Sequence, residues 1–353
     1  MTPPATTRPV RRPPFDPQIA RAMAERPEDI VTTMTAEQIP VLRSRAEPPD
    51  DNALTGYGTY LLSEHAAPGP AGDVPLLVLT PAAEASGPRP ALLHLHGGGL
   101  VTGDPRSDGP GMLELAAGSG AVVVSVGYRL APEHRYPAAV EDAYAALVWV
   151  VGHAEELGLA ADRVVLSGVS AGAGLAAALA LLVRERGGPA VRGQMLVCPM
   201  LDDRSDSVSA VQMEGHGAWD RTANATAWAA YLGPVAGRPD VPETAAPARA
   251  VDLHGLPPAY VDVGSAETFR DECVDYASRI WASGGEAELH VWPGGMHAFD
   301  FFEPGAELSL DARAARRRWL RRLLDRPCPP AEVLTGTDDV HGVASNDLGG
   351  TSS

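Results

Sequence analysis

The sequence predicts an α/β protein with a mostly parallel central sheet, helices on both faces and a helical cap. Three observations carry this. Seven short apolar runs, at Val74–Thr80, Ala91–Leu95, Ala121–Gly127, Arg163–Gly168, Gln194–Val197, Ala259–Val263 and Ala287–Trp292, mostly lack polar alternation. Strands covered on both faces have that character. Helical patterns at Ala138–Glu155, Ala171–Glu185 and Arg270–Ser283 lie between them, and such alternation favours parallel strands joined by crossover helices. With 353 residues and 45% hydrophobic composition, one domain can bury a large core.

Residues 1–15 are rich in proline and lack apolar periodicity, which predicts a disordered arm. Across 16–45 the apolar positions Ile19, Met23, Ile30, Met34, Ile39 and Leu42 recur at helical spacing in two segments, read as N-terminal cap helices. The catalytic domain is assigned to 46–326. Within it, 202–253 stands between two predicted strands where a loop of a few residues would suffice. That segment carries Met213, Trp219, Trp228, Tyr231 and Leu232, and it is read as a cap insertion. A last helix is predicted at about Leu308–Asp325. Its arginines Arg316, Arg317, Arg318, Arg321 and Arg322 are read as a solvated face. The Gly, Ser, Thr and Asp content of 327–353 predicts a disordered tail.

Acidic residues outnumber basic ones 45 to 28, for a formal charge of −17. This argues against nucleic acid or an anionic membrane as partner. Cys198, Cys273 and Cys328 are too scattered for a disulfide framework or a close-paired zinc site. The N-terminus has no signal-peptide apolar run, and no stretch of about 18 apolar residues suggests a span. A cytoplasmic location is the expectation.

The chemistry is concentrated in three places. Gly168-Val169-Ser170-Ala171-Gly172 follows a predicted strand and opens an Ala-rich helix, the setting of a nucleophile elbow. His96-Gly97-Gly98-Gly99 follows another strand. Its glycine amides can approach a developing oxyanion, a large source of rate. Donors are expected from Gly98 and Gly99, with Gly97 as a further candidate and Ala171 contributing from the elbow. No lysine follows the glycines, as a phosphate loop would require. A serine hydroxyl needs a base and the base an orienting acid. Of ten histidines, His297 sits best, in a loop after the last strand pattern; His94 and His96 are read as structural. The acid belongs between serine and histidine in chain order, where Glu267, Asp271 and Glu272 follow a strand. Glu267 is nearest the strand end, and Asp271 stays open as the alternative.

These residues resemble the hormone-sensitive-lipase-like family of α/β-hydrolases, the bacterial family IV HGGG esterases, from about Pro75 to Asp325. Tyr128-Arg129-Leu130-Ala131-Pro132-Glu133-His134 and Tyr136-Pro137-Ala138-Ala139-Val140-Glu141-Asp142 are similar to a stretch characteristic of that family. The chain departs from the family pattern at Val169 and Ala173, and at Ala298, where glycine is usual after the histidine. The usual acid is Asp; Glu267 stands in its place.

The resemblance implies the α/β-hydrolase fold, a cap built from 16–45 and 202–253, and hydrolysis of a short-to-medium or other small-molecule carboxylic ester through an acyl-enzyme on Ser170. No metal or organic cofactor is required. Trp219 and Met213 are candidate substrate contacts, and a homodimer is compatible with it. Relatives that act as dehydratases or cyclases on natural products, and others that only bind small molecules, define the alternatives.

Overall fold

A computed structural model describes residues 11–45 and 47–327. Eight strands form one sheet: β1 (Tyr60–Gly69), β2 (Gly72–Pro81), β3 (Arg89–Leu95), β4 (Val122–Val126), β5 (Leu159–Val169), β6 (Gly193–Val197), β7 (Ala259–Gly264) and β8 (Ala287–Trp292). Their order is β1-β2-β4-β3-β5-β6-β7-β8. β1 pairs antiparallel with β2 and β2 antiparallel with β4; every later pairing is parallel. The seven apolar runs correspond to β2 through β8.

β1 was not anticipated. It is an edge strand, mostly solvent-exposed on one side, so Ser63, Glu64 and His65 interrupt its apolar residues. Pairing with β2 along its whole length supplies the order that its own pattern lacks.

The helices are α1 (Pro17–Glu25), α2 (Ile39–Arg45), α3 (Asp51–Leu54), α4 (Gly109–Ala116), α5 (Ala138–Gly152), α6 (Ala171–Arg186), α7 (Val208–Gln212), α8 (Arg221–Leu232), α9 (Arg270–Ala282), α10 (Phe299–Phe302) and α11 (Glu307–Asp325). α6 is almost wholly buried, which explains its run of alanine and leucine: small side chains let a central helix lie close on the sheet. Gly172 marks a very close approach, since a methyl there would fall 2.0 Å from the Leu95 carbonyl oxygen. Gly187 ends the helix in the left-handed conformation usual for a C-terminal glycine.

Residues 16–45 and the 202–253 segment are sewn together by backbone. The Trp219 amide donates to the Val31 carbonyl and the Asp220 amide to Thr32, at 2.9 and 2.8 Å. Thr32 Oγ1 donates to Gly217 at 2.6 Å. The expected arm is described only at residues 11–15. There the Phe15 ring packs beside Gly217, and the rest of the arm lies outside the described residues. Of the expected tail only Pro327 is described, and Cys328 also falls outside.

One arginine of α11 departs from the expected solvated face. Arg317 pairs with Glu114 and Arg322 with Glu288, and Arg318 and Arg321 are exposed, but Arg316 is 2% exposed. Its guanidinium reaches Asp262 Oδ2 at 2.8 Å and the carboxylate of Asp300. Helical periodicity turns this one arginine inward, where two buried carboxylates compensate its charge.

Candidate active site

The turn between β5 and α6 places Ser170 at the C-terminal edge of the sheet. Its φ of +58° and ψ of −121° lie in a region that L-residues rarely occupy. Such strain costs about 1–3 kcal/mol and persists where surrounding structure over-determines it. Three backbone bonds do so: the Ser170 amide donates to Val197, and its carbonyl accepts from Met200 and Gly174.

The loop after β8 carries His297, whose Nε2 lies 2.9 Å from Ser170 Oγ. The loop after β7 carries Glu267, whose Oε1 lies 2.6 Å from His297 Nδ1. Glu267 is 1% exposed, and its second oxygen accepts from the Gly264 amide at 2.8 Å. A buried carboxylate on Nδ1 holds the ring proton there, leaving the Nε2 lone pair to accept from the serine hydroxyl. The Phe269 ring meets the imidazole edge-on at 5.1 Å, restricting its rotation.

Asp271, the alternative acid, points elsewhere: its Oδ2 accepts from the Ser209 amide at 2.7 Å and its Oδ1 from Arg270. Glu272 accepts from the Leu201 amide at 2.7 Å, and burial pushes its carboxyl above the usual range. The structure therefore brings Ser170, His297 and Glu267 together and leaves Asp271 and Glu272 bracing the 201–209 segment.

The glycine loop runs beside Ser170. Gly98 and Gly99 have φ of +110° and +64°, which favours glycine at both. At Gly99 the constraint is also steric, because a methyl would meet Trp219 Cη2 at 2.3 Å. Among the described residues no partner engages the amides of Gly98, Gly99 or Ala171. The Gly97 amide differs, donating to Asp108 Oδ2 at 3.2 Å, so this candidate oxyanion donor is already committed. Asp108 also accepts from His94 Nε2 at 2.8 Å, while His94 Nδ1 meets Ser167. His96 stacks on Tyr128 at 4.2 Å, and burial lowers its pKa. Both histidines thus buttress the loop.

A cavity of about 720 Å³ opens over Ser170 and His297. Trp219 lines it from the inserted segment; Val31, Met34 and Leu42 line it from the N-terminal segment, with Leu130 and Phe301 from the main domain. Arg43 also reaches it, but its guanidinium is occupied by Glu133 and two carbonyls. Met213 is not among the lining residues. It is 1% exposed, with its terminal methyl packed beside Gly217, because the turn after α7 directs it under the inserted segment. Nothing local in the sequence distinguishes Val31 and Phe301 from core residues, and Met34 carries only the apolar spacing of the N-terminal cap segment.

Residues 92–301 match a family model described as the alpha/beta hydrolase fold. Esterase LipI of Mycobacterium tuberculosis is 37% identical over 63% of this chain and 69% of its own length. Carboxylesterase NlhH of the same species is 32% identical over 89% of this chain and 98% of its own. Among solved structures, a bacterial heroin esterase superposes with a TM-score of 0.79 at 35% identity, covering 88% of this chain and 98% of that one.

Proposed function

The chain belongs to the α/β-hydrolase-fold family, in its hormone-sensitive-lipase-like branch, and from that membership we propose that it hydrolyses carboxylic esters through an acyl-enzyme on Ser170. The observation that carries this reading is the unbroken relay from Ser170 Oγ through His297 to Glu267, beside three unengaged amides.

His297 Nε2 takes the hydroxyl proton as Ser170 attacks the ester carbonyl, and Glu267 stabilises the imidazolium that forms. The Gly98, Gly99 and Ala171 amides receive the oxyanion; loss of one such donor typically costs about 10²–10³ in rate. His297 then protonates the departing alcohol and later deprotonates the water that releases the acid. The first of these transfers runs along the hydrogen bond already in place between Ser170 Oγ and His297 Nε2.

The apolar cavity and its volume favour small, uncharged esters. The N-terminal segment and the insertion act as its cap, and Trp219 forms a wall beside the reacting carbon, in contact with the glycine loop and 6.5 Å from the His297 ring. The relatives named above are esterases, which favours hydrolysis over dehydration, cyclisation or ligand binding. A p-nitrophenyl acetate assay tests the reading: Ser170→Ala lowers kcat by at least about 10³-fold, and retention of full turnover refutes it.

A further inference from the structure

We infer that Cys198, Glu267 and His297 form a binding site for a thiophilic divalent cation such as Zn²⁺, at which the metal inhibits the enzyme. Cys198 Sγ, a carboxylate oxygen of Glu267 and a ring nitrogen of His297 lie within 4.8 Å of one another, and all three residues are buried. Topology makes this juxtaposition. β6 lies between β5, which leads to Ser170, and β7, which leads to Glu267, so the first residue past β6 sits beneath the relay. That residue is Cys198. Its backbone is held there at φ +39° by the hydrogen bond that its amide donates to the Asp262 carbonyl at 2.8 Å.

The donor set suits the ion. Thiolate, imidazole and carboxylate are the ordinary zinc ligands, at about 2.3, 2.0–2.1 and 2.0–2.2 Å. Tetrahedral geometry at those lengths separates ligand atoms by roughly 3.3–3.7 Å. The Sγ must close by about 1.3 Å at most, and the Nδ1 to Oε1 pair must open from 2.6 Å. Glu267 keeps its anchor to the Gly264 amide throughout. A water molecule takes the fourth position. Charge also balances: one proton leaves the Cys198 thiol, and thiolate plus carboxylate neutralise the dication in a setting that penalises uncompensated charge. Without metal, burial and the Glu267 charge push the thiol well above its usual pKa, so Cys198 alone is an unreactive thiol.

Inhibition follows from the tautomer. Nδ1 is the nitrogen that faces Glu267, and a metal there requires its lone pair. The ring proton moves to Nε2, which then donates to Ser170 instead of accepting from it. This consequence rests on His297 being the base; the metal site itself does not.

The test uses the full chain with ZnCl₂ for activity and CoCl₂ for spectroscopy. Wild-type p-nitrophenyl acetate turnover falls with slow onset, as expected for entry to a buried site, and EDTA restores it. Cys198→Ala and Cys198→Ser keep basal turnover and raise the inhibition constant by at least about 100-fold, the upper range for losing even an outer-sphere partner. Cys273→Ala, whose thiol donates to Pro199, stays as sensitive as wild type. Ser170→Ala still shows one equivalent of the thiolate-to-cobalt charge-transfer band, and Cys198→Ala lacks it. A band in Ser170→Ala without inhibition of the wild type would uphold the site and refute the base assignment. Equal inhibition of wild type and both Cys198 variants, or no band, overturns the proposal.

Discussion

Arg316→Met removes the only cation that the described residues offer to Asp262 and the nearer of the two at Asp300, whose carboxylate also meets Arg313 at 3.7 Å. The side chains of Arg316, Asp262 and Asp300 are at most 2% exposed. Breaking a buried pair by deleting one partner costs about 3–5 kcal/mol, because a charge is left uncompensated. Here Asp262 is left without a cation and Asp300 with Arg313 alone, and among the described residues Asp262 Oδ1 has no hydrogen-bond partner to begin with. An unfolding entropy of roughly 2.1 cal/mol/K per residue over the described chain gives about 0.7 kcal/mol/K, so Tm falls by about 4–7 °C. The loss also reaches the chemistry. Asp262 lies on the strand that leads to Glu267, Asp300 follows His297 by three residues, and Trp292 Nε1 on β8 donates to Asp262 at 3.1 Å. Arg316 is therefore a positioning residue, and its loss lowers kcat more than it changes KM. Differential scanning calorimetry and p-nitrophenyl acetate kinetics measure both effects. Arg317→Met is the control, since its half-exposed pair with Glu114 is worth about 0–1 kcal/mol. If Arg316→Met shifts Tm no more than Arg317→Met, the clamp reasoning is wrong.

Three further outcomes follow. Glu267→Gln lowers kcat by up to about 10⁴-fold, the loss seen when a triad acid no longer fixes the tautomer, whereas Asp271→Asn stays within tenfold; steady-state kinetics that reverse this order move the acid. Trp219→Leu raises the kcat/KM ratio of p-nitrophenyl hexanoate to acetate by about tenfold or more, since each accommodated methylene is worth about 0.8 kcal/mol; equal losses on both esters would instead mark Trp219 as structural. Ala298→Gly raises stability by roughly 0.5–1 kcal/mol in thermal unfolding, because Ala298 sits at φ +53°, where alanine costs about 1–2 kcal/mol and glycine does not.

The central strands were legible because burial on both faces leaves an unbroken apolar run, and the glycine signatures were legible because close backbone approach and positive φ admit little else. β1 was not, since an edge strand keeps a polar face. Glu267 and Asp271 both follow a strand end, and only the course of the loop decides that one faces His297 while the other caps the segment at Ser209. Arg316 was read with its neighbours because a cluster of arginines gives no sign of which one faces inward. Met213 shared the composition of a pocket residue, but its direction depends on packing against Gly217. Nothing local separates the Gly97 amide from its neighbours, because its acceptor, Asp108, lies eleven residues away.

The most direct test of the account is the site of covalent capture by a fluorophosphonate. Peptide mass spectrometry on the inactivated protein is predicted to find one adduct per chain, on Ser170, with p-nitrophenyl acetate turnover lost in step with its formation. Complete inactivation with the adduct on another residue, or full modification of Ser170 with turnover intact, would contradict it.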